Sequence, residues 1–228
     1  MTLLTRLLAS VALSVASLAS QASTVTFNTI DNGWYRSDGL HDASVSNTIT
    51  GLYAGFEYRS FYAFTLPELA AGQTIVSATI TFFANGGNIG WIPEKHLGLF
   101  DYKGSIDALL AATGGTAAFG DLGSGASYGT AVIPGVYNDG TRATSVQLTG
   151  AALNDLLNAS GNRFVVGASL LDSFVGKVEE AIWAGSSLQP AASLTLVTTQ
   201  AVPEPDSIAL LGAAALAFGI VARRRKAR

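Results

Sequence analysis

The chain has 228 residues, a formal net charge of −3 at pH 7 and no cysteine. That length carries one domain with a sizeable core and is short for two once targeting segments are set aside. The acidic balance argues against nucleic acid as a partner, and the lack of cysteine excludes disulfides, thiol redox chemistry and a cysteine zinc site, so stability must come from burial and hydrogen bonding.

Residues 1–22 read as a secretory signal peptide. Arg6 supplies a basic start, Leu7 to Leu18 an apolar stretch, and Ser20, Gln21 and Ala22 a small-x-small cleavage site, so the mature chain is predicted to begin near Ser23. Residues 23–200 hold seven Lys or Arg against fourteen Asp or Glu, a net charge of −7, so the bases that soften the overall charge sit in the two terminal segments.

Within 23–200 the pattern is mostly of period two. Phe56, Tyr58, Ser60, Tyr62, Phe64 and Leu66 alternate with Glu57, Arg59 and Thr65, which predicts a strand with one aromatic face toward a core. Val76, Ala78, Ile80 and Phe82 repeat the pattern, and the turn at 67–72, opened by Pro67 and closed by Gly72, is expected to return this second strand antiparallel beside the first. Further strands are predicted over 24–30, 44–50, 97–102, 143–148, 163–170, 178–184 and 193–198. Two short helices interrupt them. One is capped by Ser105 and carries Ile106, Leu109 and Leu110; the other is capped by Thr149 and carries Leu153, Leu156 and Leu157. Both are expected to cover an open end of the domain. Residues 112–138 read as a long loop with at most one edge strand near 128–133. The fold class expected is all-β, an antiparallel jelly-roll-like β-sandwich with two short helices.

Candidate chemistry is sparse. His41 lies between Asp38 and Asp42, a set that could ligate a metal but equally describes a solvated turn; His96 reads as an exposed residue opening a strand. No metal site is assigned. Calcium held by loop acids among Asp31, Asp38, Asp42, Asp101 and Asp139 is the one cofactor considered, without an EF-hand spacing to support it. Glu179 and Glu180 fall on opposite faces of a strand and cannot act together on one substrate, and Glu57 is expected to pair with Arg59 or a neighbouring strand. There is no P-loop or HExxH, and no catalytic residue is assigned. Trp34 and Trp91, both expected in loops, are the candidate ligand-binding residues, since a flat indole face stacks on sugar rings; Trp183, on a predicted strand, is expected in the core.

The last segment, 201–228, has three parts. Val202, Pro203, Glu204 and Pro205 form an extended, helix-resistant stretch open to a processing enzyme. A transmembrane helix is predicted over 207–222; its apolar run, Ile208 to Ala222, spans roughly 22 Å at 1.5 Å per residue, short of a hydrocarbon core of about 30 Å. Arg223, Arg224, Arg225 and Lys226, with Arg228, follow as a basic anchor expected to stay cytoplasmic. An ordinary tail anchor would normally be longer and has no need of two prolines around a glutamate.

This tripartite ending resembles the PEP-CTERM sorting signal of bacteria. The resemblance implies an exosortase as processing partner, an inner-membrane-anchored precursor, and a final place at the cell surface or outside it. Three stretches of the middle also resemble secreted β-sandwich domains of the DNRLRE type, relatives of carbohydrate-binding modules: residues 59–64 followed by 74–80; 146–149 running through a short helix to 162–166; and 189–196. That likeness implies an antiparallel sandwich and no fixed activity. The expected function is a non-enzymatic exported surface or matrix protein, with a carbohydrate-binding module of the exopolysaccharide as alternative and a polysaccharide hydrolase third.

Overall fold

Alternation of apolar and polar residues builds most of the molecule. The computed structural model describes residues 22–84, 87–90, 94–134, 142–177, 179–184 and 190–200; residues 1–21, all of the predicted signal peptide but Ala22, together with Trp91, Asp139 and the tail from 201 onward, lie outside them. In chain order come β1 (Ala22–Asn28), β2 (Asp31–Arg36), β3 (Thr48–Tyr53), β4 (Phe56–Thr65), β5 (Gln73–Ala84), β6 (Gly87–Gly90) and β7 (Glu94–Asp101). These are followed by α1 (Ile106–Leu110), α2 (Gly115–Asp121), β8 (Ser127–Pro134), β9 (Arg142–Gln147), α3 (Gly150–Asn158), β10 (Arg163–Leu170), β11 (Glu180–Ala184) and β12 (Ala192–Gln200). The fold is mostly β, in two sheets with a few short helices. One sheet has the order β1-β12-β5-β9; the other runs β6-β11-β3-β4-β10-β7-β8, with β2 also pairing β4. Ser23–Thr198 forms one compact unit.

Alternate β4 side chains serve two cores. Tyr62, Phe64 and Leu66 pack with Ala78, Ile80 and Phe82 of β5, Leu97 and Leu99 of β7 and Leu194 and Leu196 of β12, joining both sheets. Phe61 and Ala63, pointing to the opposite face, pack with Tyr35, Leu109, Ala118, Leu122 and Val165. The sequence predicts one aromatic face on β4; both are buried, because α1 and α2 cover the second, where Tyr35 of β2 joins the cluster. Arg59 stays on that second face, pairing Glu57 at 3.0 Å as expected and donating to the carbonyls of Phe119 (3.1 Å) and Gly120 (3.0 Å) near the end of α2.

The expected β4–β5 hairpin does not form. β4 and β5 belong to different sheets, and β5 pairs β9 from Thr79 opposite Gln147 to Ala84 opposite Arg142. The 67–72 turn therefore carries the chain between layers. It is tied to the end of α3: Leu66 N–H donates to Asn162 O (2.9 Å), Gly161 N–H to Pro67 O (3.0 Å) and Leu69 N–H to Ser160 Oγ (2.7 Å). A Pro-to-Gly turn specifies a reversal, but not whether the returning strand pairs or stacks.

Ser105 caps α1 as predicted, its Oγ accepting the Ala108 N–H at 3.2 Å. Thr149 stands at the N-cap of α3, but its hydroxyl donates to Ser127 O at 2.9 Å instead. α1 covers the second face of the larger sheet, whereas Ala152 and Leu156 of α3 enter the core between the sheets. The predicted 112–138 loop contains a third helix, α2, and the expected edge strand as β8 at the end of the larger sheet. Two glycines in seven residues give α2 poor intrinsic propensity; Ala118 and Phe119 packed on the sheet, and Arg59 over the Phe119 ring at 4.3 Å, hold it. At Gly51 of β3, φ is +120° and a Cβ would come 2.2 Å from Glu180 O, so only glycine lets β11 approach there.

Candidate functional site

Trp34 is not a loop residue. It lies on β2 with 9% of its surface exposed, packs edge-on against Tyr58 at 5.1 Å, and donates its Nε1–H to Asn47 Oδ1 at 3.1 Å. Its indole is thus part of the core and offers no face to a ligand, a correction to the loop placement. The Asp-Asn-Gly at 31–33 looks like a turn, but Asn32 donates to Ser46 O at 2.6 Å and Tyr35 Oη to Leu109 O at 2.8 Å, and these contacts hold the segment extended. Trp183 is half-buried against Tyr53, 5.6 Å away.

The described loop acids do not converge. Asp38 pairs Arg36 at 2.6 Å, a contact that lowers its pKa to about 2, and Asp42 accepts from Ser44 N and Oγ. Among the described residues no three His, Asp or Glu side chains come together as metal ligands. His96 is exposed and pairs Asp172 at 2.8 Å.

His41 instead sits in an aromatic box. Its ring lies 4.8 Å from Tyr35, 5.5 Å from Phe61 and 6.1 Å from Trp34, and its buried Nδ1 has no hydrogen-bond partner among the described residues. Burial lowers its pKa, against the opposing pull of Asp31 and Asp42. A group whose folded pKa lies below its unfolded value stabilises the fold above the unfolded value, near 6.5, and loses that contribution as pH falls. The urea midpoint is therefore expected to drop between pH 7 and pH 5, and the drop to shrink in His41→Gln; an equal drop in both proteins would assign the effect elsewhere.

Lys95 and Glu180 form a fully buried ion pair, Nζ to Oε2 2.6 Å, each side chain 0% exposed, with Lys177 Nζ 3.9 Å from Glu180 Oε1. Three strands separate β7 from β11 in the sheet order. At about 4.8 Å per strand a flat sheet would hold them about 19 Å apart, so the larger sheet must curl to close this pair. The signal was present in sequence: Lys95, Leu97 and Leu99 share one parity on β7, with the two leucines plainly apolar.

A polar cluster lies where β7 leaves the sheet. Lys103 Nζ bridges Asp101 (3.2 Å) and Asp155 (3.1 Å), and Tyr128 Oη donates to Asp155 Oδ2 at 2.7 Å. The Tyr128 bond, then Lys103, hold the Asp155 carboxyl below its ordinary range, while burial and Asp155 raise the Tyr128 phenol. Two clefts flank the Tyr102–Lys103 pair. The larger, about 520 Å³, is bounded by α1, α2 and Asp121; the smaller, about 230 Å³, by Asp155, Asn158 and Arg163.

β12 ends at Gln200, and the three-part tail follows. Residues 201–226 match the PEP-CTERM protein-sorting motif. The match takes in Val202, Pro203, Glu204 and Pro205 and runs to Lys226. A PEP-CTERM ending implies an exported protein that an exosortase sorts and processes, as the sequence reading expected. No curated protein matches the chain. Among the described residues no helix is long and apolar enough to cross a membrane; the predicted 207–222 span and the 223–226 bases lie outside them.

Proposed function

We propose that the protein is a non-enzymatic component of the bacterial surface or extracellular matrix, exported through the secretory route and released from an inner-membrane precursor by an exosortase. The observation that carries this is the PEP-CTERM match beginning at 201, one residue past the last residue of β12. In this reading Val202, Pro203, Glu204 and Pro205 are recognised, residues 207–222 hold the precursor in the membrane, Arg223, Arg224, Arg225 and Lys226 anchor it on the cytoplasmic side, and cleavage leaves a jelly-roll-like sandwich intact. The use of charge in the described part supports a structural role. Arg36, Arg59, Lys95, Lys103 and Arg163 each pair with a carboxylate, and such pairs fix geometry.

The producing bacterium tests the role directly. Loss of the protein is expected to weaken matrix cohesion, while the purified protein releases no reducing ends from the matrix polysaccharide. Released reducing ends would replace this reading with the hydrolase.

A further inference from the structure

We propose that the larger cleft beside Tyr102 binds a neutral saccharide unit, and that the smaller cleft beyond Lys103 takes the next unit of the same chain. This goes beyond a matrix role and does not involve Trp34 or Trp91. Its volume of about 520 Å³ lies within the rough 300–1,000 Å³ range of small-ligand sites. Its floor is small: Gly104, Ala108, Gly114 and Ala117 leave space that larger side chains would fill.

Tyr102 forms the wall common to both clefts. Its half-buried ring lies across Gly104, where a Cβ would come 2.6 Å from the phenol oxygen, and its hydroxyl donates to Ser105 O at 3.4 Å. An aromatic face fixed in this way, with a polar tip, suits the apolar face of a pyranose ring. The polar groups are equally fixed. Asp121 Oδ2 accepts the N–H groups of Lys103 (2.8 Å) and Gly104 (2.7 Å), leaving Oδ1 without a hydrogen bond among the described residues. Thr113 contributes a hydroxyl, and the Lys103 ammonium is 63% exposed.

Charge selects the ligand class. Among the described residues Lys103 and Asp121 are the ionised side chains lining the larger cleft, and Lys103 is already held by Asp101 and Asp155, so the site offers no free positive charge to a strong anion. A carboxylate acceptor, an ammonium donor and hydroxyls around an aromatic wall match a neutral polyhydroxylated ring. Because Tyr102 and Lys103 line both clefts, a chain of sugars can cross the ridge they form, with Asn158 and Arg163 reaching the second unit.

The test uses the full-length chain, solubilised in a detergent without a sugar headgroup, on an array of neutral and anionic glycans. Binding is expected to concentrate on neutral glycans and to weaken about tenfold in Tyr102→Ala, from lost stacking and contact area. Tyr102 also packs against the α1–α2 core, so a second variant fills the cleft without removing a contact: Ala117→Trp, at an exposed position of α2, is expected to abolish binding with an unchanged thermal midpoint. Failure of the wild type to bind any neutral glycan, a preference for anionic glycans, or unchanged binding by a folded Ala117→Trp each overturns the proposal. Tail processing is expected to be normal in both variants, so failure here leaves the export reading intact.

Discussion

Replacing Lys95 by methionine is expected to lower the unfolding free energy by about 3–5 kcal/mol, the range found when one partner of a buried ion pair is removed. Against a total stability of roughly 5–15 kcal/mol, that is between about a fifth and all of the total. The cost arises because Glu180, with none of its side chain exposed, keeps its need for a cation while Lys177 stands 3.9 Å from Oε1. Glu180→Leu alone is expected to act in the same direction. The double replacement Lys95→Met with Glu180→Leu should recover most of the loss, since an apolar pair of similar volume needs no desolvation of charge. Urea unfolding of the four proteins measures the coupling. Additive single effects would mean that the two side chains do not meet, and with that contact would go the evidence that the larger sheet curls enough to bring β7 and β11 together.

Neutralising Arg223, Arg224, Arg225 and Lys226 to glutamine is expected to cut the processed fraction severalfold. The apolar run of 208–222 is short for a bilayer, so the precursor depends on its flanks to stay in place. At about 1 kcal/mol per base near an anionic leaflet, four bases supply about 4 kcal/mol of that retention and also set the orientation. Pulse-labelling followed by membrane fractionation reads both, and unchanged processing would count against the three-part tail.

What could be read from sequence divides along physical lines. The sorting tail was legible because its signal is local: two prolines, an apolar run and a basic cluster act in order along the chain. Strand faces were legible for the same reason, as in Ala78, Ile80 and Phe82, all buried in the core between the sheets. Pairing was not. Whether β5 lies beside β4 or across from it depends on contacts distant in sequence, such as Leu66 with Asn162, and alternation is blind to these. Trp34 was misplaced because the bond to Asn47 that helps hold it on β2 is made only in the fold. α2 was missed because its propensity is poor and its support, Arg59 and Phe119, is tertiary. Lys95 lay in plain register with Leu97 and Leu99, but a lone lysine on an apolar face is rare enough that alternation alone does not suggest its partner.

The most direct test of the account is the intact mass of the protein recovered from the culture surface and medium, wild type against a variant carrying Glu204→Ala and Pro205→Ala. The account predicts a wild-type chain that has lost its first ~22 residues and everything beyond the Val202–Pro205 region, and a variant that keeps its tail. A wild type that retains the tail as fully as the variant would contradict it, leaving 201–228 as an anchor only.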